Sequence, residues 1–361
     1  YGTNIMKRIG KIIVALLLAV AMCFSLAGCY DEDLNWSAKY DDTELPAGAY
    51  IYYLSIAYNE AASKVSTEDE VLKSEIDGTP AETWIKNRAD EYVNQYFYIQ
   101  NEMKRLGLEM TDEDYSTCLQ TTESYWNYFG TSFEKFGIAK TSFDIAYSQY
   151  NRMYLKVFNA LYGEGGENEV PESELRQHIE DDYYDYEYFS APLTKTDDDN
   201  KSVDLTDEEK ADLKETLEKY KTKIESGAMT VNDAATDYAL KVQQDSTYQT
   251  GIKDENGMQS SYMPDAFISA IKEMNEGDVE VVESTKYMIV LHRLPIKDDE
   301  DTLLESSDNR SQLLLELKNT EYADAVSAAA QSFEGVEWNQ KVLNRYKPSM
   351  FADTKKNGTS S

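Results

Sequence analysis

The side chains that enzymes most often use for catalysis are few and scattered in this sequence. It has two histidines, His178 and His292, and neither belongs to a serine–histidine–aspartate arrangement. No zinc-ligand spacing and no glycine-rich phosphate loop occurs. The acidic run at 197–200 lacks the glycine and the downstream glutamate of an EF-hand loop, so it predicts a solvated loop. We therefore expect no metal, no cofactor and no hydrolase or nucleotide chemistry.

One cysteine does have a clear chemical context. A basic stretch precedes the apolar run 12–26, which is shorter than the ~20 residues that a membrane-spanning helix needs. The run ends in Leu-Ala-Gly-Cys at 26–29, a lipobox-like motif whose cysteine thiol would accept a diacylglyceryl group. The sequence therefore predicts a signal peptide at 1–28 and a lipidated Cys29 on the outer face of the cytoplasmic membrane. A plain N-terminal membrane helix is the alternative, against which the acidic segment after Cys29 argues.

The charge of the chain limits its partners. Its formal net charge is −32 at pH 7, with 67 Asp and Glu against 35 Lys and Arg. This excludes nucleic acid as a natural partner, because no basic stripe is present to contact phosphates. Membrane association is expected through the lipid anchor alone. Once Cys23 leaves with the signal peptide and Cys29 is lipidated, Cys118 is the one thiol left, so the mature chain has no disulfide.

Hydrophobic periodicity separates a helical region from a mixed one. Between 47 and 162, apolar residues recur at three-to-four spacing, and helix starts are predicted at the capping sequence 79–82, at Thr111 and at Thr141. Pro171 begins a further helix that ends near 182. The mixed region then has a strand-like run at 186–193, helices at 206–227, 231–240 and 265–274, and strands at 279–282 and 287–294.

This order predicts an α+β protein in which a small α+β domain is inserted into an all-α body. Helices on both sides of an insertion each have an apolar stripe to bury, so we expect them to pack together. The predicted boundaries are 29–46 for an acidic spacer, 47–185 for the helical region, 186–296 for the inserted domain, 297–346 for helices that complete the body, and 347–361 for a flexible tail.

Several segments, in this order and spacing, resemble the PrsA/SurA-like foldases. That family carries a parvulin-type (PpiC, FKBP-like) prolyl isomerase domain on a helical chaperone body like that of SurA and trigger factor. The residues that carry the resemblance are 170–175 and 183–186, Val231, Ala235 and Tyr238, then 263–267, Ala270, 277–279 and 287–290, and finally 336–348.

The resemblance implies a shallow apolar cleft that binds a proline-containing segment and lowers the ~18–20 kcal/mol barrier to peptide-bond rotation. Met263 and Phe267 match the proline socket, and their four-residue spacing puts them on one side of a helix. Asp245 matches the position that the family fills with Cys or Asp beside the rotating carbonyl. Met288 matches the last-strand position of the substrate site.

The family's two usual histidines are replaced. The last-strand position is Met288, and the first-strand position falls within 188–190, which contains no histidine. We therefore predict a membrane-anchored extracytoplasmic chaperone or foldase for unfolded exported polypeptides, with weak or absent isomerase activity. One alternative is a fully active prolyl isomerase in which these histidines are dispensable. Another is a solute-binding or structural surface lipoprotein, although solute-binding lobes alternate strands and helices in βαβ order.

Overall fold

The computed structural model of the protein describes residues 34–66 and 68–355. The predicted signal peptide 1–28 and Cys29 lie outside the described residues. The helices are α1 Ala47–Ser63, α2 Ala81–Arg105, α3 Asp112–Lys135, α4 Lys140–Phe143, a π-helix Asp144–Gln149, α5 Tyr150–Tyr162, α6 Glu172–Asp182, α7 Asp207–Glu225, α8 Val231–Val242, α9 Glu255–Ser260, α10 Asp265–Glu273, α11 Ile296–Glu305, α12 Ser307–Gln331 and α13 Gln340–Arg345, with 3-10 helices Glu68–Lys73 and Pro348–Lys355.

The strands are short except for two in one sheet. They are β1 Trp36–Tyr40, β2 Thr43–Pro46, β3 Glu75–Ile76, β4 Thr79–Pro80, β5 Tyr183–Pro192, β6 Thr194–Thr196, β7 Ser202–Asp204, β8 Gln249–Asp254, β9 Val279–Glu283, β10 Tyr287–Leu294 and β11 Glu337–Trp338. None of the helices among the described residues combines the length and the apolar character that crossing a bilayer requires.

The described residues form two compact units, which confirms the predicted α+β class with an inserted domain. The first, unit 1, combines the described residues up to Leu161 with those from Thr320 onward, and the second, unit 2, is Tyr162–Asn319. Unit 1 is mainly helical and is built from both ends of the chain. Unit 2 is longer than the inserted domain expected at 186–296, because α6, α11 and the first half of α12 group with its sheet.

The two ends of the chain meet in a small sheet of unit 1. Strand β1 pairs antiparallel with β2 and, on its other side, with β11, where Ala38 lies opposite Trp338. The Asn339 side chain donates to the Trp36 carbonyl at 2.8 Å. The prediction that 29–46 is a spacer is therefore wrong for 36–46, where Ala38 and Leu45 are fully buried. The distant partner β11, which local sequence does not indicate, stabilises this segment.

The C-terminal segment also differs from the flexible tail predicted at 347–361. Residues 348–355 form a 3-10 helix, and the Phe351 side chain is buried. Its ring lies 4.8 Å from that of Phe136 and 5.8 Å from that of Tyr58. Burying this Phe side chain stabilises the packing of the segment on unit 1 by roughly 1.5–3 kcal/mol.

Helix capping follows the sequence at some starts and not at others. Capping boxes are present at Thr111 and Thr206, where the threonine side chain accepts from the backbone three residues on. The capping box predicted at 79–82 is wrong. Thr79 belongs to β4, and α2 begins at Ala81 after Pro80, with no side-chain cap. Helix α4 begins at Lys140 after Ala139, one residue before the predicted cap Thr141.

Unit 2 is built on a sheet of four described strands in the order β8-β5-β10-β9, all antiparallel. Side chains alternate between its faces, so each face has its own core. Helices α7 and α8 cover one face, where the core contains Phe189, Leu217, Ala235, Val279, Met288 and Val290. Helices α9 and α10 cover the other, where the core contains Tyr186, Met258, Phe267, Ile271, Ile289 and Leu291.

Strand β8 was not predicted, because its sequence Gln-Thr-Gly-Ile-Lys-Asp is mostly polar and contains a glycine. It lies at the edge of the sheet, where it pairs with β5 from Tyr183 opposite Asp254 to Tyr188 opposite Gln249. Polar edge strands are common because they discourage pairing with other chains. The strands predicted at 186–193, 279–282 and 287–294 are present as β5, β9 and β10.

Candidate functional site

An open cleft of about 330 Å³ lies on the α9–α10 face of the sheet in unit 2. We call it the aromatic cleft, because tyrosine and phenylalanine supply much of its surface. Strands β5 and β10, the turn before α10, and α10 itself contribute the apolar side chains, which are Tyr186, Tyr188, Met263, Phe267, Tyr287 and Ile289. Polar side chains at its rim are Ser190, Gln249, Thr250, Lys253 and Ser261.

The cleft forms where side chains of β5 alternate between the two faces of the sheet, so that every second residue lies on the cleft side. Tyr186 and Tyr188 point to the same face of the sheet, and the edge strand beside them has a glycine opposite Tyr186. A Cβ at Gly251 would lie only 2.6 Å from the Tyr186 hydroxyl oxygen. The glycine therefore leaves the space in which the Tyr186 ring lies flat across β8.

Phe267 is the floor of the aromatic cleft. It is fully buried, and its ring centroid lies 5.2 Å from that of Tyr186 and 5.2 Å from that of Tyr188. Both pairs are edge-to-face, the geometry that aromatic rings prefer. Pro264 precedes the first turn of α10 and so directs Met263 and Phe267 toward the sheet. Phe267 and Tyr186 therefore support the cleft from beneath, and the half-buried Tyr188 and Met263 and the exposed Tyr287 form its solvent-facing apolar surface.

Polar groups surround this apolar floor. The Tyr188 hydroxyl donates to the Gln249 side-chain oxygen at 2.7 Å and lies 4.0 Å from the Met263 sulfur. The Lys253 ammonium donates to the Ser261 hydroxyl. An extended polypeptide laid in the cleft would thus meet hydrogen-bonding groups for its backbone beside an apolar surface for a side chain.

Burial makes the tyrosines of the cleft poor acids. It raises the pKa of Tyr186 to about 12 and also raises the pKa of Tyr188. Both phenols therefore stay protonated near neutral pH and act as hydrogen-bond donors. No histidine, cysteine, aspartate or glutamate is among the described residues that line the cleft. These residues thus offer apolar contacts and hydrogen-bonding groups to a bound chain.

The predicted site residues are only partly brought together. Met263 and Phe267 both line the cleft. Met288 does not, because it lies on the opposite face of the sheet, buried with Phe189 and Val290 under α7 and α8. The neighbours Tyr287 and Ile289 take the cleft side, as strand alternation requires. Asp245 is exposed in the connection between α8 and β8 and is not among the lining residues.

The two histidines make contacts away from the cleft. His292 lies on the Met288 face, where its Nδ1 is 2.9 Å from Glu187 and helps hold the pKa of that carboxyl below its usual value. His178 on α6 lies between Asp182 and Glu316, 2.8 Å from each. Within the described ranges, no group of three His, Cys, Asp or Glu side chains is placed to hold a metal ion.

The sequence did not predict four of the cleft residues, which are Tyr186, Tyr188, Tyr287 and Gln249. A signal for the first two was present, since tyrosines at 184, 186 and 188 alternate along the strand and must share a face. Gln249 had no such signal, because its strand was not predicted. These residues give the cleft its aromatic walls and polar rim.

No protein-family model matches this sequence, and no curated protein matches it. Solved structures similar to this chain include a foldase protein PrsA from Streptococcus pneumoniae, which is 14% identical and matches over 70% of this chain and 89% of its own, with a TM-score of 0.37. The Lactococcus lactis foldase protein PrsA is 13% identical and matches over 86% of this chain and 98% of its own, with a TM-score of 0.35.

PrsA from Bacillus subtilis is 14% identical over 77% of this chain and 93% of its own, with a TM-score of 0.30. These three solved structures are foldase proteins of the group that the sequence resembles. A likeness of this size concerns the fold alone, and the aromatic cleft is interpreted from its own geometry.

Proposed function

We propose that this protein is an extracytoplasmic folding factor that binds unfolded, exported polypeptides, and that the aromatic cleft of unit 2 holds a proline or another apolar residue of the bound chain. The observation that carries the proposal is the pairing of an aromatic floor with a polar rim in an open groove. Phe267 forms that floor, and its ring centroid lies 5.2 Å from those of Tyr186 and Tyr188.

The floor suits the face of a proline ring. Aromatic side chains offer a large rigid contact area at low cost in conformational entropy, because they have two side-chain torsions. Met263 adds a flexible thioether that adapts to side chains of different shape. The combination favours apolar residues in general and accepts many sequences, as binding of varied unfolded chains requires.

The rim suits an extended backbone. Gln249, Ser190 and the Tyr188 hydroxyl present donors and acceptors at the mouth of the cleft. An unfolded chain has unpaired N–H and C=O groups that must find partners when they leave water. Contacts to the backbone carry no sequence preference, which again favours a broad range of clients.

The same lining argues for weak or absent isomerase activity. Rotation about a prolyl bond needs a polar environment tuned to the twisting amide. The cleft offers phenol, amide and hydroxyl groups and one ammonium group, that of Lys253, which is already bonded to Ser261. Asp245, the residue matched to the family's catalytic position, is exposed and lies outside the lining set. We therefore rank chaperone binding above prolyl isomerisation.

The location we propose is the outer face of the cytoplasmic membrane, with the chain anchored through lipidated Cys29. The lipobox-like motif at 26–29 supports this anchor. A solute-binding role is less well supported. All strand pairs among the described residues are antiparallel, whereas solute-binding lobes rest on parallel βαβ units.

Two assays on the mature protein test the proposal. In the first, an unfolded client is diluted into buffer with and without excess protein, and light scattering follows its aggregation. We expect slower aggregation with the protein, and no change in aggregation rate would contradict the chaperone role. In the second, a protease-coupled assay measures cis–trans isomerisation of a proline peptide. A rate far above the uncatalysed rate would show a fully active isomerase instead.

A further inference from the structure

Helix α3 of unit 1 carries an apolar row that remains open to solvent. We call this row the α3 ridge, and its members are Tyr115, Leu119, Trp126, Phe129 and Phe133. Tyr115, Leu119 and Phe129 are 45%, 58% and 50% exposed. Their spacing of three, four or seven residues puts them on one side of the helix. An exposed apolar row of this length is typical of an interaction surface.

Packing beneath the ridge holds it in place. A Cβ at Gly130 would lie 2.6 Å from the Trp126 indole nitrogen, so the indole lies against the helix backbone. Trp126 and Phe133 both contact Phe143, with ring distances of 6.1 and 5.1 Å. Phe143 is almost fully buried in the core of unit 1. The ridge is therefore preorganised, which lowers the entropic cost of binding.

Carboxylates follow one flank of the ridge at a regular interval. Asp112, Glu123 and Glu134 are eleven residues apart, close to three helical turns, so they recur on nearly the same side about every 16 Å. Glu123 pairs with Lys140, whereas Asp112 and Glu134 make no ion pair with any described residue. The flank is thus acidic, like the protein as a whole.

We infer that the α3 ridge is a docking surface for an extended, unfolded polypeptide segment that combines apolar side chains with Lys or Arg. Apolar side chains of the segment cover the ridge, and its cations lie along Asp112, Glu123 and Glu134. A second copy of this chain is a poor occupant because its own net charge is −32. The inference rests on the proposed function for its partner class, but it uses a surface in the other unit.

The test uses the whole mature chain and a fluorescently labelled, unstructured peptide composed of Leu, Phe, Ser and Lys. Anisotropy measures its binding, and a peptide with every Lys changed to Glu is the charge control. We expect the Lys peptide to bind at least about tenfold more tightly than the Glu peptide. The difference should shrink between about 0.1 M and about 1 M NaCl, since the screening length falls from about 10 Å to about 3 Å.

Variants locate the binding surface. Leu119→Ser with Phe129→Ser removes two exposed ridge side chains and should weaken Lys-peptide binding about tenfold or more. The matched control is Leu240→Ser, since Leu240 is 75% exposed on α8 of unit 2, away from the ridge. Asp112→Asn with Glu134→Gln should reduce the salt dependence of Lys-peptide binding, because it removes two of the flanking carboxylates. Glu113→Gln, an exposed carboxylate away from the ridge, is its control.

Three outcomes would overturn the inference. In the first, the Lys and Glu peptides bind equally well, and in the second, the ridge variants do not change Lys-peptide binding. In the third, the peptide does not bind, and light scattering shows a dimer that the ridge variants dissociate. A different variant tests the proposed function of the aromatic cleft independently of the α3 ridge. A Met263→Ala change in the aromatic cleft should weaken binding of a neutral proline peptide and leave Lys-peptide binding unchanged, so each surface has its own readout.

Discussion

The aromatic cleft depends most on Tyr186 and Tyr188, whose side chains lie on the face of the sheet that α10 covers. Tyr188 contacts the Phe267 ring at 5.2 Å and directs its hydroxyl to Gln249 at 2.7 Å. It therefore supplies both an apolar wall and a fixed polar group. Tyr248 offers a comparison, because it also hydrogen-bonds a neighbouring strand residue, Glu187, but packs against the core on the other face of the sheet.

Tyr188→Ala is expected to weaken binding of a proline-containing unfolded peptide about tenfold or more, because it removes one aromatic wall and a rim hydroxyl. Fluorescence anisotropy with a labelled peptide measures the change. Tyr248→Ala removes a side chain of the same size from the opposite face and should change the affinity less than about twofold. Equal losses in the two variants would show that the effect comes from stability rather than from the cleft.

Asp185 gives unit 2 a pH-dependent stability. Its side chain is 3% exposed, and one carboxyl oxygen has no hydrogen-bond partner among the described residues. The pKa of the Asp185 carboxyl is raised to about 7, mainly by burial and also by the hydrogen bond with Asp299 and the charge of Asp299. The unfolded value is about 3.9, so the folded state holds a proton that the unfolded state has released. Stability therefore falls as pH rises from about 4 to 7.

Asp185→Asn removes this titration. Relative to the wild type, the variant should gain roughly 2–3 kcal/mol of unfolding free energy between pH 5 and pH 8. Urea unfolding at both pH values measures the difference. Asp245→Asn, a change of the same type at an exposed site, should show no such gain. An identical stability difference at the two pH values would contradict the assignment.

At the scale of elements, the edge strand β8 decides whether the cleft exists. Gly251 leaves room for the Tyr186 ring, since a Cβ there would meet the hydroxyl at 2.6 Å. Gly251 and Tyr186 are direct cross-strand partners. The cleft is thus a property of the β5–β8 pair, and neither strand forms it alone.

Gly251→Ala is expected to destabilise unit 2 by about 1–3 kcal/mol and to weaken peptide binding, because the Tyr186 ring must move. Combining it with Tyr186→Leu should cost less than the sum of the two single changes, since the smaller side chain relieves the clash. Chemical unfolding of the wild type, both single variants and the double variant measures this coupling. Additive costs would mean that the two residues do not compete for space.

The sequence predicts the elements whose pattern is local and misses those that depend on distant partners. Strands β5, β9 and β10 and the capping boxes at Thr111 and Thr206 follow from local pattern. Strands β1 and β8 do not, because one is held by a partner some 300 residues away and the other is a polar edge strand.

Two residues that line the cleft, Met263 and Phe267, were singled out by the family resemblance. Only Phe267 lies in α10, which begins at Asp265, so the predicted shared side of one helix does not account for Met263. Met288, which was matched to the family's last-strand position, lies on the face of the sheet opposite the cleft, because side chains alternate along a strand. Tyr287 and Ile289, its two neighbours, lie on the cleft side instead.

At the scale of the whole molecule, unit 1 requires both ends of the chain. Strand β11 pairs with β1, and Phe351 packs on Tyr58 and Phe136. On α12, Tyr322 packs against Tyr154 with a ring distance of 4.5 Å. A chain interrupted by unit 2 must therefore complete unit 1 with its last residues.

Ending the chain after Gly335 removes β11, α13 and the last 3-10 helix. We expect this truncation to destabilise unit 1 by roughly 3–6 kcal/mol, because Val342 and Phe351 are buried and β1 loses a partner. Hydrogen exchange should rise in β1 and α1 and stay unchanged in β5 and β10. Ending the chain after residue 355 is the control. Faster exchange throughout β5 and β10 would contradict the division into two units.

The central claim is that the aromatic cleft binds unfolded polypeptide, and methionine methyl NMR tests it most directly. With methionine methyl groups labelled, an unfolded proline-containing peptide is titrated into the mature protein. Met263 lines the cleft, whereas Met288 is buried on the opposite face of the same sheet and serves as an internal reference. The account predicts a saturable shift of the Met263 signal with Met288 unmoved. A saturable shift at Met288 or at Met153 of unit 1 with Met263 unmoved would contradict it.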